Sequence, residues 1–198
     1  MKYDFIEIGT SNFDTLIEKA NNDTIGISVE PLKSYLDDLP NKQNVIKAPI
    51  AISFDGLDGY LDLYYIPKMF FNHRNFNIPE GLQGCNSIGN YHPEHVKLKL
   101  QKYVKIKKVP SLSLKSFFEK YNVESVDLLK IDVEGGDCKI LKQLHEILQD
   151  GNLEKPKEIS FEANALTPNE EIEEIVELFG PYYEFERIDE MNMNMRLK

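Results

Sequence analysis

Leu128-Leu129-Lys130-Ile131-Asp132-Val133-Glu134-Gly135-Gly136 is a short apolar run that ends in two carboxylates and two glycines. A near-continuous apolar run is what a strand buried on both faces looks like, and such strands belong to parallel sheets covered by helices. The glycines release the chain into a stretch where Leu141, Leu144 and Leu148 recur at helical spacing, with Ile140 and Ile147 widening the stripe. The stretch therefore predicts a strand, a turn and a helix. It delivers Asp132 and Glu134 to the carboxyl edge of the sheet, where open α/β sheets bind ligands. Carboxylates there can bind a metal, orient a hydroxyl or accept its proton, and they serve equally as a strand-end turn and a helix N-cap.

The same alternation repeats outward from this point. A strand over residues 3–8 is followed by Phe13, Leu16, Ile17 and Ala20 at helical spacing, and one over 25–29 by Leu32, Tyr35, Leu36 and Leu39. Leu114, Phe117, Phe118 and Tyr121 precede the strand at 126–131, and a strand at 158–162 leads into Ile172, Ile175, Val176 and Phe179. Repeated strand–helix units predict an α/β fold, a mostly parallel open sheet flanked by helices. Gly180-Pro181 punctuates the pattern, and residues 182–188 and 193–197 predict a C-terminal antiparallel hairpin. In the middle, 45–52 and 59–66 read as strands. Residues 67–95, rich in Asn, Gly, Pro and His, keep no period. A loop this long is either functional or disordered, and Phe70, Phe71 and Phe76 make it too aromatic for disorder. The expectation is one domain over 1–198, with 67–95 as an irregular, substrate-facing insertion.

Composition narrows the function classes. A chain of 198 residues buries about 70% of its unfolded surface and needs no disulfide or metal staple. Nothing approaches the ~20 apolar residues of a membrane span. Asp4 and Glu7 stand where a signal peptide would be apolar. The net charge of −10 repels phosphate backbones, so a nucleic-acid partner is not expected. The basic run at 97–108 reads as a solvated face or an edge strand. Cys85 and Cys138 lie far apart with no CxxC, which predicts a reduced, cytoplasmic protein.

Two further strand ends carry chemistry. Gly9-Thr10-Ser11-Asn12 closes the first strand and opens a helix N-terminus suited to a polar ligand. Glu30 closes the second strand about 20 residues later, the spacing at which an acid accepts hydrogen bonds from ribose hydroxyls. A dinucleotide fingerprint needs glycine where this chain has Ser11 and Asp14. NAD or FAD is therefore disfavoured. A nucleoside without a pyrophosphate, such as S-adenosylmethionine (SAM), needs fewer glycines.

Together these motifs resemble the FkbM-type methyltransferases. Phe5-Ile6-Glu7-Ile8-Gly9, Val29-Glu30-Pro31, Ala51-Ile52-Ser53 and Leu129-Lys130-Ile131-Asp132-Val133-Glu134-Gly135 stand in that family's order and spacing. Gly84-Cys85-Asn86-Ser87-Ile88-Gly89 and Ile159-Ser160-Phe161-Glu162 are also similar to family segments. The resemblance spans essentially the whole chain, and Lys-Ile-Asp-Val-Glu-Gly is its most specific part. It implies the class I methyltransferase sheet and a SAM-dependent O-methyltransferase acting on a hydroxyl of a sugar, glycan, polyketide or related small molecule. By position, Glu7, Gly9 and Ser11 would line the methionine and ribose side of the cofactor, Glu30 would hold the ribose diol, and Ala51 and Ile52 would flank the adenine. Two departures stand out: Phe13 where the family commonly has glycine, and Gly136 where it commonly has His. The chain opens at its first strand, so the expectation is that an N-terminal cover over the cofactor is either missing or supplied by a homo-oligomer or a partner domain.

An aliphatic hydroxyl is a poor nucleophile, so a base or a divalent cation such as Mg²⁺ is expected beside it. Asp132 is expected as base or metal ligand, with Glu134 supporting. His92 and His95 are alternative bases, either one a replacement for the missing family His; as a His-x-x-His pair they also offer two metal ligands with no third in view. His73 lies in the same segment, and His145, beside Leu144, reads as a surface residue. Aromatic and amide side chains in the irregular segment favour a sugar acceptor. Two other classes stay open: a non-catalytic nucleoside-binding or scaffold domain on the same sheet, and an NAD-linked oxidoreductase.

Overall fold

In the computed structural model, which describes residues 1–71, 76, 78–151 and 153–198, the alternation resolves into a seven-stranded sheet. Its strands are β1 (Lys2–Ile8), β2 (Gly26–Val29), β3 (Val45–Ala48), β8 (Ser125–Ile131), β9 (Glu158–Glu162), β10 (Tyr183–Arg187) and β11 (Asn192–Leu197), in the order β10-β11-β9-β8-β1-β2-β3. The pairs among β3, β2, β1, β8 and β9 are all parallel, whereas β11 runs antiparallel to both β9 and β10. The expected hairpin is present, with its last strand inserted beside β9 and β10 left at the edge.

The sheet buries its two faces in separate clusters. Phe5 and Val45 pack with Ile17 of α1 (Leu16–Lys19) and Leu36 of α2 (Lys33–Asp38). Ile6, Ile8, Leu129 and Ile131 pack with α4 (Leu114–Lys120), α5 (Asp137–Gln149) and α6 (Asn169–Phe179). Side chains alternate along a strand, so Phe5 and Ile6 must serve opposite faces. This explains both the continuous apolar runs and the helices on each side.

The middle of the chain departs from expectation. Residues 45–52 do not form one strand. Pro49 lacks the N–H a ladder needs, and the run splits into β3 in the main sheet and β4 (Ala51–Ile52) in a second, four-stranded sheet of order β4-β7-β5-β6. That sheet contains β5 (Gly59–Tyr65), β6 (Ser87–Ile88) and β7 (Lys105–Leu112). The basic run enters β7, where residues 105–108 are all exposed. Among the described residues they pair with β5 alone, since β4 reaches only Ser111 and Leu112. This half of β7 is thus the lysine-bearing edge that the composition suggested. No helix among the described residues is long and apolar enough to cross a membrane.

Candidate active site

Register places the site. Ile8 pairs with Val29 on one side and with Ile131 on the other, so Gly9, Glu30 and Asp132 leave three neighbouring strands side by side. The strand order reverses direction at β1, which opens a crevice at the carboxyl ends. There lies a cavity of about 600 Å³ whose wall includes Gly9, Ser11, Glu30, Ala51, Ile52 and Asp132. All six were expected at a ligand site from sequence.

Each strand end is fixed by its own bonds. Gly9 has φ 85, and its N–H donates to the Val29 carbonyl at 2.9 Å. Ser11 and Asp14, the two positions that a dinucleotide fingerprint reserves for glycine, also sit at positive φ, 50 and 51. The turn keeps a glycine-like path without the glycines. Glu30 is buried and accepts the Ser11 N–H at 3.1 Å and the Leu32 N–H at 2.8 Å. Burial pushes its carboxyl up to about 7 against those two donors.

Glu7 does not line the cavity. It shares the Phe5 side of β1, and there its carboxylate accepts the Leu16 N–H at 2.9 Å and Lys130 Nζ at 3.0 Å. The lysine was not anticipated as a site residue, although Glu7 and Lys130 are direct cross-strand partners. Lys130 also lies 3.6 Å from Asp132 Oδ2. Burial pulls the ammonium down, but Glu7 and Asp132 outweigh it, so Lys130 stays charged. Asp132 is pushed upward by burial, with Lys130 opposing and Glu134 adding to the rise.

The turn after β8 is held from three directions. Glu134 and Gly135 both have positive φ, 55 and 83. Buried Asp137, the first residue of α5, accepts the Val133 N–H at 3.2 Å and the Glu162 N–H at 3.0 Å, tying the turn to β9. Across the cavity, Glu134 Oε2 lies 3.0 Å from His92 Nε2. His92 is also the N-cap of α3 (Pro93–Lys97): its Nδ1 accepts the Glu94 N–H at 3.2 Å. With Nδ1 accepting, the ring proton sits on Nε2 and is donated to Glu134. His92 therefore steadies Glu134, and its proton-accepting nitrogen is already taken.

His95 is fully buried, does not line the cavity, and neither ring nitrogen has a hydrogen-bond partner. Burial holds it down at about 4, so it is a neutral packing residue and not a base facing a substrate. His73 lies outside the described residues. The space beside Gly136 is filled by Phe54, whose ring would meet an added Cβ at 2.1 Å. A side chain at position 136 would have to displace that ring, and the imidazole facing Glu134 comes from His92.

The irregular segment supplies part of the wall through Gly84, Cys85, Asn86, Ile88, His92 and Glu94. Its phenylalanines do not face the cavity. Phe70 and Phe76 pack on Tyr103 and on each other at ring separations of 5.0–5.4 Å, and Phe71 belongs to the same cluster. Phe13, still 52% exposed, is the phenylalanine that reaches the cavity wall among the described residues. Glu162 at the end of β9, with Asn164 and Leu166 from the segment that follows, completes the far side. Burial, then Asp132, Glu134 and Asp137, push Glu162 up to about 8. Asp132 joins no metal-ligand cluster among the described residues; the set that converges is Cys85, His92 and Glu134. Sulfur and imidazole donors do not suit Mg²⁺, which demands oxygen ligands in near-octahedral array.

Comparison with known proteins adds a family match. The family model described as the methyltransferase FkbM domain matches residues 6–196. No curated protein matches the chain. Among solved structures, the crystal structure of a fibrillarin/Nop5p complex is similar at 11% identity with a TM-score of 0.44, over 98% of this chain and 70% of that one.

Proposed function

The chain belongs to the methyltransferase FkbM domain family, and from that premise we propose that it transfers the methyl group of SAM to a hydroxyl of a sugar, glycan or related small molecule. The residues present fit the cofactor. Glu30 offers a buried carboxylate at the end of β2 for a ribose diol, Ala51 and Ile52 offer an apolar wall for adenine, and Ser11 Oγ is a buried hydroxyl with no partner of its own. Bound there, the cofactor supplies a methyl carbon already activated on a sulfonium.

The chain's own residues then have to hold an acceptor oxygen in line and take its proton. Alignment of this kind contributes roughly 7–11 kcal/mol to lowering a barrier. We assign Asp132 as the proton acceptor: it faces the cavity and is raised above an ordinary carboxyl, which favours proton transfer. Lys130, anchored by Glu7, fixes its position. Glu134, steadied by His92, is the second carboxylate and orients the acceptor. Asn86, Asn164 and Glu162 offer further polar contacts to a polyol, with the Phe13 ring at the wall for a sugar face. In this reading, 1–198 form one methyltransferase domain and 67–95 its acceptor side. Both cysteines are free thiols, which supports a cytoplasmic setting.

The observation that carries the reading is the register that sets Gly9, Glu30 and Asp132 abreast on one cavity. The test is transfer of a radiolabelled methyl group from SAM to a panel of monosaccharides, glycans and hydroxylated metabolites. Alkali-stable label on a hydroxyl acceptor is the expected result. SAM binding without transfer to any acceptor would instead favour a non-catalytic nucleoside-binding domain, and no SAM binding would end the proposal.

A further inference from the structure

Cys85, His92 and Glu134 come from two separate parts of the chain, the irregular segment and the turn after β8. Their ligand atoms lie within 4.8 Å of one another, and all three residues line the cavity. We propose that they form a zinc site on the acceptor side, with three protein ligands and an open fourth position facing the cavity. Thiolate, imidazole and carboxylate are the donors zinc takes, and three ligands plus one exchangeable position is the pattern of its catalytic sites. The ligand set also separates this site from the Mg²⁺ expected at Asp132.

Metal binding has one structural consequence. For Nε2 to ligate, the His92 proton must move to Nδ1, which displaces the Glu94 N–H now donating there. A cap bond of this kind is worth roughly a factor of five in an equilibrium, whereas three convergent ligands bind zinc with affinities many powers of ten larger. The metal prevails, and the first turn of α3 loosens as it binds.

The experiment is titration of the full chain with Co²⁺ and Zn²⁺ in the absence of SAM, so that it reads the site and not turnover. Cobalt is expected to bind at one equivalent with a thiolate-to-cobalt charge-transfer band, displaced by zinc, while the Glu94 amide exchanges faster. Cys85→Ser should abolish the band and weaken zinc by roughly 100-fold or more, and His92→Ala and Glu134→Gln should weaken it by at least tenfold. Melting curves of each variant check that it is folded. Absence of cobalt binding at millimolar metal overturns the site, as does a band that survives Cys85→Ser. Its role toward an acceptor hydroxyl rests on the methyltransferase reading. SAM affinity, measured on the same samples, separates failure of one from failure of the other.

Discussion

Gly9 and Asp132 approach so closely that a Cβ on Gly9 would lie 1.8 Å from the Asp132 carbonyl oxygen. This contact draws the ends of β1 and β8 together and sets the floor of the cavity. Gly9→Ala must push the strands apart and also hold alanine at φ 85. Overpacking costs about 1–3 kcal/mol and a left-handed alanine about 1–2 kcal/mol. The expected loss is about 3 kcal/mol, which lowers Tm by roughly 6–12 °C in a chain of this size. Calorimetric SAM binding should vanish with it. An unchanged melt would mean that the junction is looser than these distances.

Glu30 and Asp132 should separate binding from chemistry. Glu30→Ala removes a charged acceptor and should raise the SAM Kd by roughly 10- to 100-fold, since hydrogen bonds to charged groups are worth about 1.5–3 kcal/mol. Asp132→Asn should leave the SAM Kd within about threefold, while general-base loss lowers kcat by about 100- to 10,000-fold. Equal SAM affinity for wild type and Glu30→Ala, by isothermal titration, removes the cofactor assignment.

The same geometry shows what a sequence can and cannot expose. Gly9, Glu30 and Asp132 were legible because parallel strands in register bring their C-terminal neighbours together, so three local strand ends suffice. Glu7 was misplaced although the signal was present: it lies two residues from Phe5, and period-two alternation turns it under α1. Lys130, a lone charge inside an apolar run and opposite Glu7, was readable by the same rule. Cys85 meeting His92 and Glu134 was not, because the packing of an aperiodic segment against a distant turn leaves no periodic trace. The second sheet was hidden too, since exposed lysines in β7 mask strand alternation.

Stability should fall as pH rises through neutrality. Burial holds Glu30 and Asp137 up at about 7 and Glu162 at about 8. The folded chain therefore keeps protons that the unfolded chain releases near pH 4. The stabilisation is complete below that unfolded value and is lost as pH rises through about 7 to 8. His95, held down at about 4, acts oppositely, but only below its unfolded value of about 6.5. Melts monitored by circular dichroism should show a higher Tm at about pH 6.5 than at about pH 8.5, with a shallower slope in Glu162→Gln. A Tm that climbs over this range contradicts the assignment.

His95 offers a test of packing against catalysis. Its ring is buried with both nitrogens unpartnered, so an apolar side chain of similar volume removes a desolvation cost instead of adding one. His95→Met should melt at the same temperature or a few degrees higher, turn over within about threefold of wild type, and lose less stability below about pH 6. A fall of two powers of ten in kcat with normal SAM binding would restore His95 as a base.

Position 136 links the family departure to packing. Phe54 lies where any side chain at Gly136 would have to go, with its Cε1 2.1 Å and its Cζ 2.2 Å from an added Cβ. Gly136→His should therefore be destabilising by about 2–4 kcal/mol, through overpacking at the start of α5. Phe54→Ala alone should cost about 2–3 kcal/mol by opening space over a half-buried ring. Combined, the two should be less damaging than their sum, because the imidazole enters the volume the ring vacated. A double-mutant cycle on urea midpoints measures this directly, with an expected coupling of about 1–2 kcal/mol in the favourable direction. If the two losses simply add, Phe54 does not exclude the histidine, and the reason for Gly136 lies elsewhere.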